Sequence, residues 1–141
     1  MAIGESLSIL SSILSIAASV KELMASRGAT AGAAVDQLSG SDGLAREILA
    51  DPDTREAVLL LAQTVISNDL LDQLTREARK CERNHIGDRK KAKGHTDKDD
   101  ADIEAAQCMC SVLRDTKRYN GGSLPDSKLL NDYWKSYRCR D

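Results

Sequence analysis

IGESLSILSSILSIAASVKELMAS, residues 3–26, is the stretch that decides the fold. Its apolar side chains recur at spacings of three and four residues in two adjacent stripes, which predicts one long helix with a broad apolar face. Serines line much of the remaining surface, and Glu5 is the one charged residue before Lys21. A helix with this pattern is either buried or packed closely on another helix.

Three interpretations of this helix stay open. It is the core helix of its own domain, or an assembly surface between chains, or a helix in a membrane interface, which the lack of Lys and Arg on its polar face disfavours. The assembly interpretation assigns the contact to Leu7, Leu10, Ile13, Leu14 and Val20. We expect no transmembrane span, because the uncharged run from Ser6 to Val20 has 15 Ser-rich residues, whereas a span needs about 20 apolar residues.

The rest of the chain also has helical periodicity. Residues 27–43 are small and Gly-rich, which predicts a loop with a helical turn around 33–38, followed by a short helix over 43–50. Pro52 after Asp51 is typical of a helix start and predicts a long helix to about Arg83. A helix over 99–118 would place Ile103, Ala106, Cys110 and Leu113 on one packing face, and a last helix follows the YNGG stop at 119–122.

These patterns predict an all-α fold of about five helices. We divide the chain into an aliphatic helical core over 1–84, a charged linker over 85–98 and a helical pair carrying cysteines over 99–141. The chain contains no Phe, and its four aromatic residues follow residue 118, so the core of the first part must be aliphatic.

Charge is distributed unevenly along the chain. The formal net charge is −2, but residues 1–75 carry 4 basic and 10 acidic side chains, whereas residues 76–141 carry 16 and 12. The candidates for phosphate binding are Arg83, Arg89, Lys90, Lys91 and Lys93. No aromatic residue interleaves with them and an acidic run follows, so a nucleic-acid partner is possible but not favoured over a solvated linker or an acidic protein surface.

The four cysteines are Cys81, Cys108, Cys110 and Cys139, and all are candidates for disulfides. A bond between Cys108 and Cys110 is disfavoured within a helix, which leaves two patterns that each tie Cys81 and Cys139 to the 108–110 turn. Reduced cysteines, with Cys110 in the core and Cys108 pointing outward, are the alternative. Zinc is a weaker alternative with Cys81 and His85 as the leading ligands, because the spacing is unusual for a structural site. We expect no cofactor.

The location of the protein depends on those cysteines. No positive charge precedes the first apolar stretch, so we expect synthesis in the cytoplasm without a signal peptide. The sequence leaves the final location open, and oxidised cysteines would favour the outside of the cell or a virion.

No catalytic motif stands out in the sequence. His95, followed by carboxylates, is a weak candidate for a general base. We therefore predict a non-enzymatic structural, assembly or protein–protein interaction protein that self-associates with other copies of the chain. The alternatives are a small delivered toxin or nuclease acting on nucleic acid, and a zinc-stabilised adaptor.

Overall fold

The computed structural model describes residues 3–41 and 43–141, and across them the chain is all-α without strands. Seven helices follow one another: α1 (Ile3–Arg27), α2 (Ala31–Ser39), α3 (Leu44–Leu49), α4 (Pro52–Ala62), α5 (Asn68–Lys91), α6 (His95–Tyr119) and α7 (Lys128–Ser136). The predicted all-α class is confirmed, and the expected number of about five helices was too low.

Helix α1 lies at the centre of the fold and contacts α2, α3, α4, α5 and α6. Eleven of its residues are buried, including serines as well as aliphatic side chains. The five side chains assigned above to an assembly surface are at most 1% exposed: Leu7, Leu10, Ile13, Leu14 and Val20. Because the chain's own core covers them, these side chains are not available for contact with another chain.

By length and composition alone, α1 is also long and apolar enough to cross a membrane. Its most apolar window is 61% buried inside the fold. Core helices of soluble proteins and signal sequences have the same length and composition, so the expected lack of a membrane span stays a prediction.

The predicted long helix after Pro52 is divided into α4 and α5. Asp51 begins α4 by accepting a hydrogen bond from the Thr54 backbone N–H at 3.0 Å, as expected. Thr64 then turns its hydroxyl back to the Leu61 carbonyl, and Ser67 caps α5 by accepting from the Leu70 N–H. The expected continuous helix was wrong because these local polar contacts compete with the helical backbone bonds.

Lys21 of α1 fixes the turn between α4 and α5. Its Nζ donates to the Thr64 carbonyl at 2.8 Å and also to the Ile66 carbonyl. Burial lowers the pKa of this amine. The two bonds satisfy two carbonyls of the turn itself, so one side chain joins α1 to the turn.

The expected charged linker over 85–98 is mostly helical. Helix α5 continues to Lys91 and α6 starts at His95, so the connection is only three residues long. Gly94 has φ 95°, a conformation that favours glycine. The linker prediction was wrong because the dense charge of this segment belongs to one exposed helical face. The Lys and Arg side chains occupy that face of α5, while Cys81 and His85 are buried on the other.

The two helical regions expected to be separate share one core. Met109 and Leu113 of α6 and Leu130 of α7 belong to the same buried cluster as Leu7 and Leu10 of α1. Helices α5 and α6 pack together as an antiparallel hairpin, which α1 covers along α5.

Two disulfides, Cys81–Cys108 and Cys110–Cys139, brace the second half of the chain. This is one of the two patterns predicted from the sequence. Their Cα–Cα separations are 5.8 and 5.2 Å, within the usual range for a disulfide. Cys108 does not point into solvent as expected. Because it lies about 200° around α6 from Cys110, the two residues reach different neighbours, α5 and the segment after α7.

Removing the Lys21 amine should destabilise the fold without disturbing the surface. We expect Lys21→Met to lower the free energy of unfolding by about 1 to 3 kcal/mol, because two carbonyls lose a charged donor. Urea denaturation measures the change. Lys80→Met, at an exposed position without a side-chain partner among the described residues, is the matched control, and equal losses in the two variants would contradict this role.

Each disulfide should stabilise the fold by a similar amount. The bonded residues are 27 and 29 positions apart, so the loop-entropy model gives about 3 to 4 kcal/mol for each bridge. Since the two loops do not overlap along the chain, we expect the losses in Cys81→Ala/Cys108→Ala and Cys110→Ala/Cys139→Ala to add. Thermal unfolding measures them, and intact mass with and without reductant counts the bridges. Four free thiols in the native protein would refute the pairing.

Candidate functional site

A groove runs between the start of α1, the middle of α6 and the end of α7. It consists of two adjoining pockets of about 300 and 510 Å³ that share Ala106, Ser136 and Tyr137. The first is also lined by Ile3, Ser6, Leu129, Asp132 and Tyr133. The second is also lined by Asp102, Ile103, Gln107 and Arg138. We call these residues together the groove. Its size and largely apolar walls are those of a surface that accepts apolar groups.

Ile103 is an exposed apolar wall of the groove. The sequence predicted it on the packing face of α6 with Ala106, Cys110 and Leu113, but it is 55% exposed. That expectation was wrong because the helices that pack on α6, chiefly α5, leave this side chain in solvent. The uncovered part becomes one side of the groove.

Two stacked tyrosines form another wall. The Tyr133 and Tyr137 ring centroids are 5.7 Å apart, and the Tyr137 hydroxyl donates to Ser6 Oγ at 2.6 Å. The Tyr133 hydroxyl is buried and has no hydrogen-bond partner among the described residues. Burial raises the pKa of both phenols, so both hydroxyls stay protonated at neutral pH. An unpaired buried hydroxyl costs about 1 to 3 kcal/mol, so this wall is held by its packing.

Arg138 lies at the end of the groove in a left-handed conformation with φ 57°, unlike any other non-glycine residue that the structure describes. The Cys139 N–H donates to the Trp134 carbonyl at 2.9 Å, which closes α7 with the left-handed turn usually formed by glycine. An arginine there costs roughly 1 to 2 kcal/mol. The adjacent Cys110–Cys139 bridge holds this turn against α6.

A buried histidine supports the groove from behind. His85 is 5% exposed, and its Nε2 lies 2.6 Å from Asp102 Oδ1. Arg89 donates to both oxygens of Asp102 at 3.0 and 3.1 Å. Partial burial works to raise the pKa of Asp102, but the hydrogen bonds from His85 and Arg89 outweigh it and hold this pKa below its usual range. These contacts fix the rim of the groove where Asp102 lies.

The structure does not bring the candidate zinc ligands together as a metal site. Cys81 is bonded to Cys108, and the His85 ring nitrogen is paired with Asp102. Among residues 3–41 and 43–141, no group of three or more His, Cys, Asp or Glu side chains is arranged to hold a metal ion.

His95, the candidate general base, begins α6 and is exposed. Its side chain forms no hydrogen bond or ion pair with the residues that the structure describes. The neighbouring carboxylate of Asp97 accepts instead from the Lys93 backbone N–H at 3.0 Å. The nuclease alternative therefore gains no assembled site here and stays a prediction.

The five candidate phosphate-binding residues divide into two groups. Arg89 is paired with Asp102. The others are exposed and without side-chain ion pairs in the described part of the chain: Arg83, Lys90, Lys91 and Lys93. No aromatic side chain lies near them along α5, so base stacking has no platform there.

Sequence reasoning missed the groove, because its walls come from residues that are more than 90 positions apart. No signal in the local sequence places Ile3, Ala106 and Tyr137 together. The residues at the end of α7 include no glycine, the residue that usually marks a left-handed turn, so the turn at Arg138 was not predictable.

The comparisons with known proteins found no relative of this chain. No protein-family model, no curated protein and no solved structure matches it.

The Asp102 contacts predict a pH dependence of stability. Because its pKa is lowered in the fold, its carboxylate stabilises the protein above the unfolded-state value of about 3.9, and this contribution disappears as the pH falls through the folded-state pKa. We expect Asp102→Asn to cost about 1 kcal/mol at pH 7, allowing for solvent screening, and almost nothing in strong acid. Denaturation across pH measures this. The exposed Asp100→Asn is the control, and a loss independent of pH would contradict the assignment.

Proposed function

We propose that this protein is a non-enzymatic structural protein that self-associates through the groove and works in an oxidising compartment. The groove is the observation that carries the proposal. It is lined by the exposed apolar side chain of Ile103, by the ring of Tyr133, whose buried hydroxyl is unpaired, and by the strained Arg138. Features of this kind each cost stability and concentrate where a protein binds something.

The two disulfides support the oxidising compartment in this proposal. Stable bridges are typical of secreted, periplasmic or surface proteins and are rare in a reducing cytosol. Cys110–Cys139 holds the turn that contains Arg138, and Cys81–Cys108 ties α5 to α6 near His85. The chemistry of the groove favours binding over catalysis, because the described residues that line it include no nucleophile paired with a base.

The partner proposed for the groove is another copy of the same chain. The first 75 residues carry an excess of acidic side chains and the remainder an excess of basic ones. This asymmetry gives two copies complementary surfaces and would steer their association. The groove itself carries charges of both signs: Arg138 and Asp132 are exposed and unpaired among the described residues, and Asp102 is paired with Arg89.

Light scattering over a range of concentrations tests self-association. We expect the mass of the oxidised protein to rise with concentration, and Ile103→Lys to weaken association by about tenfold or more, because a charge replaces an apolar contact. Ile86→Lys is the control, since Ile86 is also exposed, at 48%, but does not line the groove. A wild-type protein that stays monomeric at high concentration would overturn the proposal.

A further inference from the structure

Val65 is 81% exposed, more than any other large apolar side chain in the described residues. It lies at the tip of the turn between α4 and α5. Lys21 donates to the carbonyls on both sides of it, those of Thr64 and Ile66. Because both neighbours are tied to α1, the turn is fixed and the Val65 side chain is held in solvent.

The Val65 turn and the groove lie at opposite ends of α1. Ile3 and Ser6, near the start of α1, line the groove, whereas Lys21 holds the Val65 turn near its end. The fifteen residues from Ser6 to Lys21 rise about 22 Å along the helix. Within one molecule, Val65 therefore cannot reach the groove, but the same turn on a second molecule can.

The charges beside the two surfaces are complementary. Asp69, in the first turn of α5, is exposed four residues after Val65. Arg138 is exposed at the end of the groove. Neither side chain has a hydrogen bond or an ion pair with another residue in the described ranges. One surface thus offers an apolar side chain with a nearby carboxylate. The other offers the unpaired guanidinium of Arg138 beside Ile103, since Asp102 there is already paired with Arg89 and the exposed Asp132 lies in the adjoining pocket.

We propose that the Val65 turn of one copy docks into the groove of the next copy, with Asp69 paired to Arg138. This inference rests on the proposed self-association and names the contact that produces it. Because the two surfaces differ, the contact is head-to-tail and leaves a free turn at one end and a free groove at the other. Repetition builds a ring if the rotation closes and a filament if it does not.

A charge exchange tests the contact. We expect Val65→Lys to weaken association by about tenfold or more, since it places a charge in an apolar groove. Asp69→Arg and Arg138→Asp should each weaken it by about two- to five-fold, the range for an exposed ion pair. An equimolar mixture of these two single variants should associate about as strongly as the wild type, with the variants in alternating order. Both contacts between unlike variants pair opposite charges, whereas each variant alone pairs like charges. The double variant Asp69→Arg/Arg138→Asp should again associate like the wild type.

The measurements are sedimentation velocity and light scattering on oxidised full-length protein, with circular dichroism to check that each variant folds. Asp72→Arg, exposed one turn further along α5, is the charge control and should leave association unchanged. If the wild type associates but Val65→Lys has no effect, or the double variant is not restored, the docking contact is overturned while self-association stands. A monomeric wild type overturns both.

Discussion

The burial of α1 is the constraint on which the rest of the structure depends. Between Glu5 and Lys21 this helix has no charged side chain, and its small serines and alanines let neighbouring helices approach closely. Each large apolar side chain that it buries contributes roughly 1.5 to 3 kcal/mol. In a chain without Phe, this aliphatic helix provides the surface on which α4 and α5 pack. Its two ends then position the Val65 turn and the groove.

The disulfides hold the last third of the chain in place, whereas packing on α1 holds the first part. Helix α7 has only nine residues, too few to be stable alone. It is held by Leu130 and Tyr133 in the core, by the Tyr137 hydroxyl on Ser6 and by the Cys110–Cys139 bridge. The groove depends on all three, because its wall is the turn that follows α7. We therefore expect loss of the Cys110–Cys139 bridge to change the shape of the proposed binding surface as well as to lower stability.

Much of the fold was predictable from local pattern, and the misses share a cause. The apolar periodicity of residues 3–26 and the Asp51–Pro52 start gave α1 and the start of α4, and helix geometry at Cys108 and Cys110 limited the disulfide patterns to two. The same periodicity continues through Ile66, so it concealed the break that Thr64 and Ser67 produce. The charges of 85–98 concealed a helix whose inward residue is His85. The groove was not predictable, because it is formed by residues distant in sequence, such as Ile3 and Tyr137.

Amide hydrogen exchange across α1 in dilute, oxidised protein tests the central claim most directly. If α1 is the core helix of each molecule, its amides from Leu7 to Val20 exchange only through global unfolding, as slowly as the most protected amides of α5. Exchange of these amides at the rate of the loops, while the α5–α6 hairpin stays protected, would contradict the account. Such a result would mean that α1 is a surface that another chain or a membrane has to cover.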